Sequence, residues 1–186
     1  MDSASDNALM LKVKDGDLDK LGLLFERYHR RLYHFFYRLT YRRDISEDLV
    51  QGVFERILKY RSTYRDNGSF ATWIFQIARN LQIDHYREHK KEEHTNHFTD
   101  WEQLESKNFE SEQELQENKE LKLLHQALDE LDDTKKQTLV LSRFQGFKYR
   151  EIADIMDCSE SAVKVRIFRA IRELETHINE LKRDRL

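Results

Sequence analysis

Apolar side chains recur at steps of three and four over most of this chain, and the recurrence stops and restarts at definable points. Leu18, Leu21, Phe25, Tyr28, Leu32, Phe35 and Leu39 trace the first stripe. It predicts an amphipathic helix of about six turns, preceded by an Asp15-Gly16-Asp17 break. A second helix is expected from about Ser46 to Tyr60, with Leu49, Val50, Val53 and Ile57 inward. The polar segment Arg61 to Ser69 follows, with turn residues at Asp66-Asn67-Gly68. A third long helix, Phe70 to Lys91, buries Ile74, Ile77, Ala78 and Leu81. Three helices with such faces make a small bundle with its own core.

Between His94 and Asn118 apolar residues thin out to Phe98, Trp101, Leu104, Phe109 and Leu115, and no period persists. The period resumes from Lys119 at Leu121, Leu124, Leu128 and Leu131, and a helix around Lys135 to Phe144 ends at Gln145-Gly146. Gly146 to Leu174 then reads as two helices joined by a tight turn at Asp157-Cys158-Ser159, with Ser159 placed to cap the second. In the first of the two, Ile152, Ala153 and Met156 point to the core. In the second, Val163, Ile167, Ala170, Ile171 and Leu174 share one narrow sector. The opposite side carries Ser161, Ala162, Val165, Phe168, Arg169 and Arg172, flanked by Lys164 and Arg166. Small side chains let such a backbone approach base edges in a major groove, and arginines reach phosphates and guanine. The plainer reading is a helical hairpin with a solvated basic face.

With no proline and only 5 glycines in 186 residues, the expected fold is all-α. It comprises two small helical domains, residues 1–92 and 119–186, joined by a flexible linker, 93–118, with the helix-turn-helix in the C-terminal domain. Charge sharpens this division. The formal net charge is only −3, but residues 1–91 carry +4, residues 92–118 carry −8 and residues 119–186 carry +1. An acidic, self-repelling connector between two mildly basic blocks suits an extended chain. The single cysteine, Cys158, offers no disulfide framework or CxxC metal site. Met1 to Ala8 is polar, unlike a signal peptide, so a soluble, cytoplasmic protein is expected.

Two further faces carry candidate chemistry. Trp73, Gln76, Asn80, Asp84, Arg87 and Lys91 line one side of the third helix. An aromatic, an amide and cations in line can stack an unpaired base, bond its edge and hold phosphates. Upstream, Arg65, Asp66, Asn67 and Ser69 could close over an extruded base. The competing reading is a solvated face with Trp73 packed into the core. Asp48, Gln51 and Glu55 share a face of the second helix bordered by Phe54 and Leu58, either a protein-docking ridge or a solvated surface. His85 and His89 have the four-residue spacing of a metal pair but lack a placed third ligand. No nucleophile with a paired base and no phosphate-cradling glycine loop emerges, so neither an enzyme nor a cofactor is expected.

In order and spacing, these pieces closely resemble the extracytoplasmic-function group of bacterial RNA polymerase sigma factors. The resemblance is carried by DISEDLVQGVFERIL at Asp44–Leu58, FATWIFQIARNLQIDHYR at Phe70–Arg87 and GFKYREIADIMDCSESAVKVRIFRAIREL at Gly146–Leu174. It implies an initiation subunit that binds core polymerase, recognises promoter DNA and promotes its opening. Asp48, Gln51, Phe54 and Glu55 match the segment that docks on the coiled coil of the largest subunit. Phe70, Trp73, Asn80 and Arg87 match the reader of the minus-ten element, and Arg65–Ser69 the loop that captures a flipped base. Lys164, Val165, Arg166, Phe168 and Arg169 match the helix that reads the minus-thirty-five duplex. The second domain is expected on the flap of the second-largest subunit, and the acidic linker in the RNA exit region. Many relatives are held inactive by an anti-sigma factor; no small-molecule substrate is implied.

Three departures stand out. Gly52 replaces a usual glutamate in the docking region. Val165 and Ile171 stand where small, polar or basic residues are common. Proline is absent at Asp132 and Ser159, before two helices. The main rival is a stand-alone helix-turn-helix regulator, which leaves the Trp73–Lys91 face and the docking ridge unexplained. A metal-dependent hydrolase built on His85 and His89 is a second rival.

Overall fold

The computed structural model describes residues 5–93 and 112–183, with side chains 89–93, 112–119 and 121 outside the description. All regular structure there is helical, in two compact units, one built on α1–α4 and the other on α5–α8.

The first unit opens with a helix that the apolar stripes did not announce, α1 at Asp6–Lys14. The Ser5 hydroxyl accepts from the Ala8 N–H at 3.2 Å as its N-cap, and Leu9, Met10 and Val13 are buried. Gly16, at φ 106°, takes a left-handed conformation that breaks the chain before α2, Asp19–Thr40. There the stripe is rotated from the expected one. Leu24, Tyr28, Leu32, Phe35 and Phe36 are buried, while Leu18 and Phe25 are exposed. With α1 and α3 both packed on α2, Leu24 and Phe36 lie inward and Phe25 stays at the rim. α3, Arg43–Tyr60, buries Leu49, Val50, Val53 and Ile57 as expected. A short 3-10 turn at Arg61–Thr63 and an irregular loop lead to α4, Phe70–Glu93. Ile74, Phe75 and Ala78 of α4 are buried; Ile77 and Leu81 are only half-buried.

Gly52 lies where α3 meets α4. A Cβ there would come within 2.9 Å of Leu81 Cδ2. Its neighbour is the tip of a half-buried leucine that can swing aside, so the glycine eases close approach without being demanded by it.

The expected linker, with Phe98, Trp101, Leu104 and Phe109, lies mostly outside the described residues. α5 spans Glu112–Asp129 and so starts seven residues before Lys119, where the apolar period resumes. Glu112, Glu114 and Glu117 hid this start from an apolar pattern, yet acidic side chains suit the positive end of a helix. α6 is Asp133–Arg143, and Leu128, Leu131, Leu139 and Ala170 form one core cluster of the second unit, with Leu124, Ile171 and Leu174 against it. Gly146, at φ 73°, turns the chain toward α7, Tyr149–Met156, which is followed by α8, Glu160–Arg183.

Side chains cap three of these starts. Glu151 accepts from the Lys148 N–H at 2.8 Å, Asp132 from Lys135 N–H at 2.9 Å, and Ser159 Oγ from Ala162 N–H at 3.1 Å. The missing prolines at 132 and 159 are therefore capping groups, which satisfy helix donors that proline could not. Ser159→Ala is expected to destabilise the second unit by about 1 kcal/mol in urea unfolding; an unchanged midpoint would deny the cap any weight.

Partial burial raises the Asp132 pKa, but the side-chain and backbone hydrogen bonds of Lys135 and its charge outweigh that and hold it below the usual value. A depressed folded pKa stabilises above the unfolded value of about 3.9 and loses that stabilisation as pH falls through the folded one. Asp132→Asn is thus expected to be less stable than wild type at neutral pH, with the gap closing below about pH 4. A gap that stays constant in thermal melts down to acid pH contradicts this assignment.

Candidate nucleic-acid interface

Along one side of α4 run Trp73, Gln76, Asn80, Asp84 and Arg87. Asn80 and Arg87 are exposed and the other three half-buried. Lys91 continues the helix, with its side chain outside the description. The Trp73 ring lies edge-on to Tyr64, centroids 4.8 Å apart, and tilted against Phe70 at 5.9 Å. Phe70, expected among the contacting residues, is only 1% exposed and sits edge-on to Tyr28 at 5.2 Å. Opening α4 with its ring inward makes Phe70 the floor beneath Trp73 rather than a group offered to a ligand. Asp84 also departs from a simple contacting role, because its carboxylate accepts from Arg56 Nη2 at 2.8 Å. So solvated an ion pair adds little stability. It does offset the only carboxylate among these residues, where phosphate would otherwise meet repulsion.

Above the aromatic floor, Arg65, Asp66, Asn67, Gly68 and Ser69 are all exposed. Tyr64 beneath them is buried, and its hydroxyl has no hydrogen-bond partner among the described residues. Burial, with Asp66 and Asp6 nearby, pushes its pKa up to about 12, so it remains a neutral phenol. The loop is held from α1. Asn7 Nδ2 donates to the Asp66 carboxylate and, at 2.7 Å, to Gly68 O, while Asn7 Oδ1 accepts from Phe70 N–H at 2.9 Å. No sequence signal pairs Asn7 with residues some sixty positions away; the Leu9, Met10, Val13 spacing could at most have flagged its helix.

On α3, Asp48, Gln51 and Glu55 are exposed and Leu58 half-buried. Phe54 is the exception, 7% exposed and tilted onto Phe25 at 5.0 Å. Its ring braces α3 on α2, so the apolar surface at this ridge is that of Phe25 instead. Phe25 stacks on His29 at 4.9 Å, and both line a cleft of about 320 Å³ with Tyr33, Val50 and Gln51. This cleft was not legible, because the sequence pattern put Phe25 in the core.

On α8, Val163, Ile167 and Ala170 are buried, whereas Ser161, Lys164, Val165, Phe168, Arg169 and Arg172 are exposed. Val165 and Phe168 retain 48% and 59% of their exposure, a poor arrangement for a helix facing only water. The Arg172 guanidinium lies 4.9 Å over the Phe168 ring, and Lys164 pairs with Glu160 at 3.3 Å. Arg169 makes no hydrogen bond or ion pair among the described residues. Arg166 differs from the expectation: half-buried, it reaches back to the turn and donates to Cys158 Sγ at 3.3 Å. Ile171 packs on the unit's core, so of the two unusual residues only Val165 is exposed.

Nothing in these faces is arranged for bond-making. Among the described residues no group of three or more His, Cys, Asp or Glu converges as a metal site, and the side chain of His89 lies outside the description. No described helix is long and apolar enough to cross a membrane.

One helical unit thus carries a face with an aromatic floor, and the other a helix-turn-helix. Residues 24–92 match the sigma-70 region 2 family, and residues 121–174 match sigma-70 region 4. Among curated relatives, the chain is 27% identical over 166 residues to RNA polymerase sigma factor YlaC of Bacillus subtilis, covering 89% of this chain and 96% of that one. It is 28% identical to ECF sigma factor SigX of the same organism (87% and 85% covered). To the ECF sigma-E factor of Escherichia coli it is 27% identical (96% and 97%). Its fold is similar to that of CnrH in complex with the cytosolic domain of CnrY, at TM-score 0.73 and 22% identity, covering 95% and 99% of the two chains. The chain belongs to the RNA polymerase sigma factors, of the extracytoplasmic-function type with sigma-70 regions 2 and 4. It binds core RNA polymerase and promoter DNA and directs the enzyme to promoters for initiation, with no catalysis of its own. Neither the stand-alone regulator nor the hydrolase survives this assignment.

Proposed function

We propose that residues 1–92 dock on the coiled coil of the polymerase's largest subunit and capture the unpaired minus-ten strand, while residues 119–186 rest on the flap and grip the minus-thirty-five element as duplex. The observation that carries this reading is the α4 face: exposed Asn80 and Arg87 beside Trp73 on an aromatic floor, under the exposed Arg65–Ser69 loop. Such a face gains by stacking and edge contacts only when bases are unpaired, so it favours the open state by differential affinity. Gln76, Asp84 and Lys91 extend it, Asp84 through its pair with Arg56. Ser161, Lys164, Val165, Phe168, Arg169 and Arg172 form the duplex-reading face, with Arg166 bracing the turn. Asp48, Gln51, Glu55 and Leu58 form the docking ridge beside the Phe25 cleft, with Phe54 supporting it from below. Residues 93–118 act as the connector between the two domains.

An anti-sigma factor would act by covering the same faces. The fold similarity to RpoE of Bartonella quintana, solved in complex with the anti-sigma factor NepR (TM-score 0.62, 20% identity, covering 90% and 98%), supports a fold able to accept such a partner.

Reconstitution with core polymerase on a library of randomised promoters, followed by transcript sequencing, tests the proposal. Two enriched elements at one fixed separation are expected. Enrichment of the upstream element alone would remove the strand-capture role.

A further inference from the structure

Loop 65–69 presents the groups that the proposed base capture needs, yet it holds almost none of its own shape. Among the described residues, apart from the Trp73 N–H bond to Ser69 O at 3.1 Å that starts α4, its hydrogen bonds to the rest of the protein all come from one side chain. Asn7 uses three of its four hydrogen-bonding sites there, including both donors. Both amide protons go to acceptors on Asp66 and Gly68, and its oxygen takes the N–H of Phe70, one of the donors that the first turn of α4 leaves unpaired. Two acceptors on one side and one donor on the other fix the carboxamide's orientation. The three contacts fall on alternate residues, 66, 68 and 70, and so brace the loop over its whole exposed length. Arg65, Asn67 and Ser69 are left with side chains uncommitted.

Asn7 is itself firmly seated. Its neighbour Asp6 accepts from Tyr28 Oη at 2.6 Å and pairs with Arg27 at 2.5 Å. At the other end of α1, Lys14 Nζ donates to Tyr64 O at 2.7 Å, and Leu9, Met10 and Val13 anchor the helix from below. The brace is therefore tied at both ends to the core beneath Trp73. A loop pre-shaped in this way discriminates between bases without losing the ordering cost on each encounter.

We propose that Asn7 is a positioning residue for strand capture, setting the loop geometry that decides which base is accepted at the captured position. This rests on the reading that loop 65–69 captures a base. Holoenzyme is used to select from a pool of random single-stranded DNA of about twelve nucleotides, with core polymerase alone as background and sequencing as readout. Wild type should show one position of sharp preference due to the loop. In Asn7→Ala, preference at that position should fall about fivefold or more while other positions hold, as expected for loss of hydrogen bonds that shape one subsite. Asn7→Asp should do the same, since it keeps the acceptor for Phe70 N–H, loses both donated bonds and sets a carboxylate against Asp66. It decides the matter if Asn7→Ala assembles poorly. An even loss across all positions, or an unchanged profile, overturns the proposal. Asn67→Ala separates the two levels. If it flattens the position that the Asn7 variants leave sharp, base capture stands and the Asn7 role falls. If neither Asn67→Ala nor the Asn7 variants move any position, base capture itself falls.

Discussion

Trp73→Ala is expected to leave closed promoter complexes forming normally and to lower the open fraction roughly five- to a hundredfold, the equivalent of one lost base stack at about 1–3 kcal/mol. The indole is half-buried on Tyr64 and Phe70, so it has a fixed orientation before DNA arrives and still keeps a free surface. Truncation also uncovers part of that aromatic floor, and some loss of domain stability is expected with it. Permanganate reactivity of promoter thymines, measured at saturating holoenzyme, separates the two effects. A stability defect lowers the amount of active holoenzyme, which saturation restores; a stacking defect persists. Trp73→Phe should recover much of the opening, because it returns a π-face to the same floor. Full thymine reactivity in Trp73→Ala would remove Trp73 from strand capture.

That split between binding and opening is what two kinds of recognition on one chain should produce. Contacts to duplex are made equally before and after melting, so they set occupancy without favouring either state. Contacts to unpaired bases exist only afterwards, and a ligand shifts an equilibrium only by its differential affinity for the two states. On the proposed reading Asp84 fits this scheme once tied to Arg56, since the pair offsets the carboxylate's repulsion of phosphate.

The parts of this arrangement that were legible in sequence are those set by local periodicity. The stripe of Val163, Ile167 and Ala170 placed α8 and predicted which side remained outside, because burial on a helix follows from spacing alone. Leu49, Val50, Val53 and Ile57 did the same for α3. Tertiary choices between neighbouring residues of one type were not legible. In α2, Leu24 and Phe25 are equally apolar, and only tertiary packing decides that the former is buried and the latter left on the rim of a cleft. Phe54 and Phe70 sit at the correct positions of matching motifs, but their rings turn into the core and act through what lies above them. Asn7 was out of reach for a different reason. Its partners at 66, 68 and 70 are joined to it by geometry alone, and a polar residue early in a short helix carries no trace of a long-range brace.

Arg169→Ala is expected to weaken binding to the upstream duplex by about 1–3 kcal/mol while leaving core polymerase binding unchanged, provided that Arg169 makes a bidentate contact to guanine. The two arginines nearest to it on α8 are already engaged within the protein: Arg166 with Cys158, and Arg172 over Phe168. Arg169 is exposed without such a tie, beside Phe168 and Arg172 on the outward face, so its guanidinium is available for a base edge at no cost in existing bonds. The form of the loss identifies the contact. A bidentate guanine contact predicts a loss confined to sequences with guanine at one position, and an unchanged slope of affinity against salt. A phosphate contact predicts an equal loss on every sequence and a salt slope lower by about one. Arg166→Ala supplies the internal comparison: because its side chain faces the turn, its effect should appear in the stability of the second unit before it appears in DNA affinity. If Arg166→Ala costs more in sequence discrimination than Arg169→Ala, the face reads DNA through Arg166 after a rearrangement of the Cys158 contact, and the assignment of Arg169 fails.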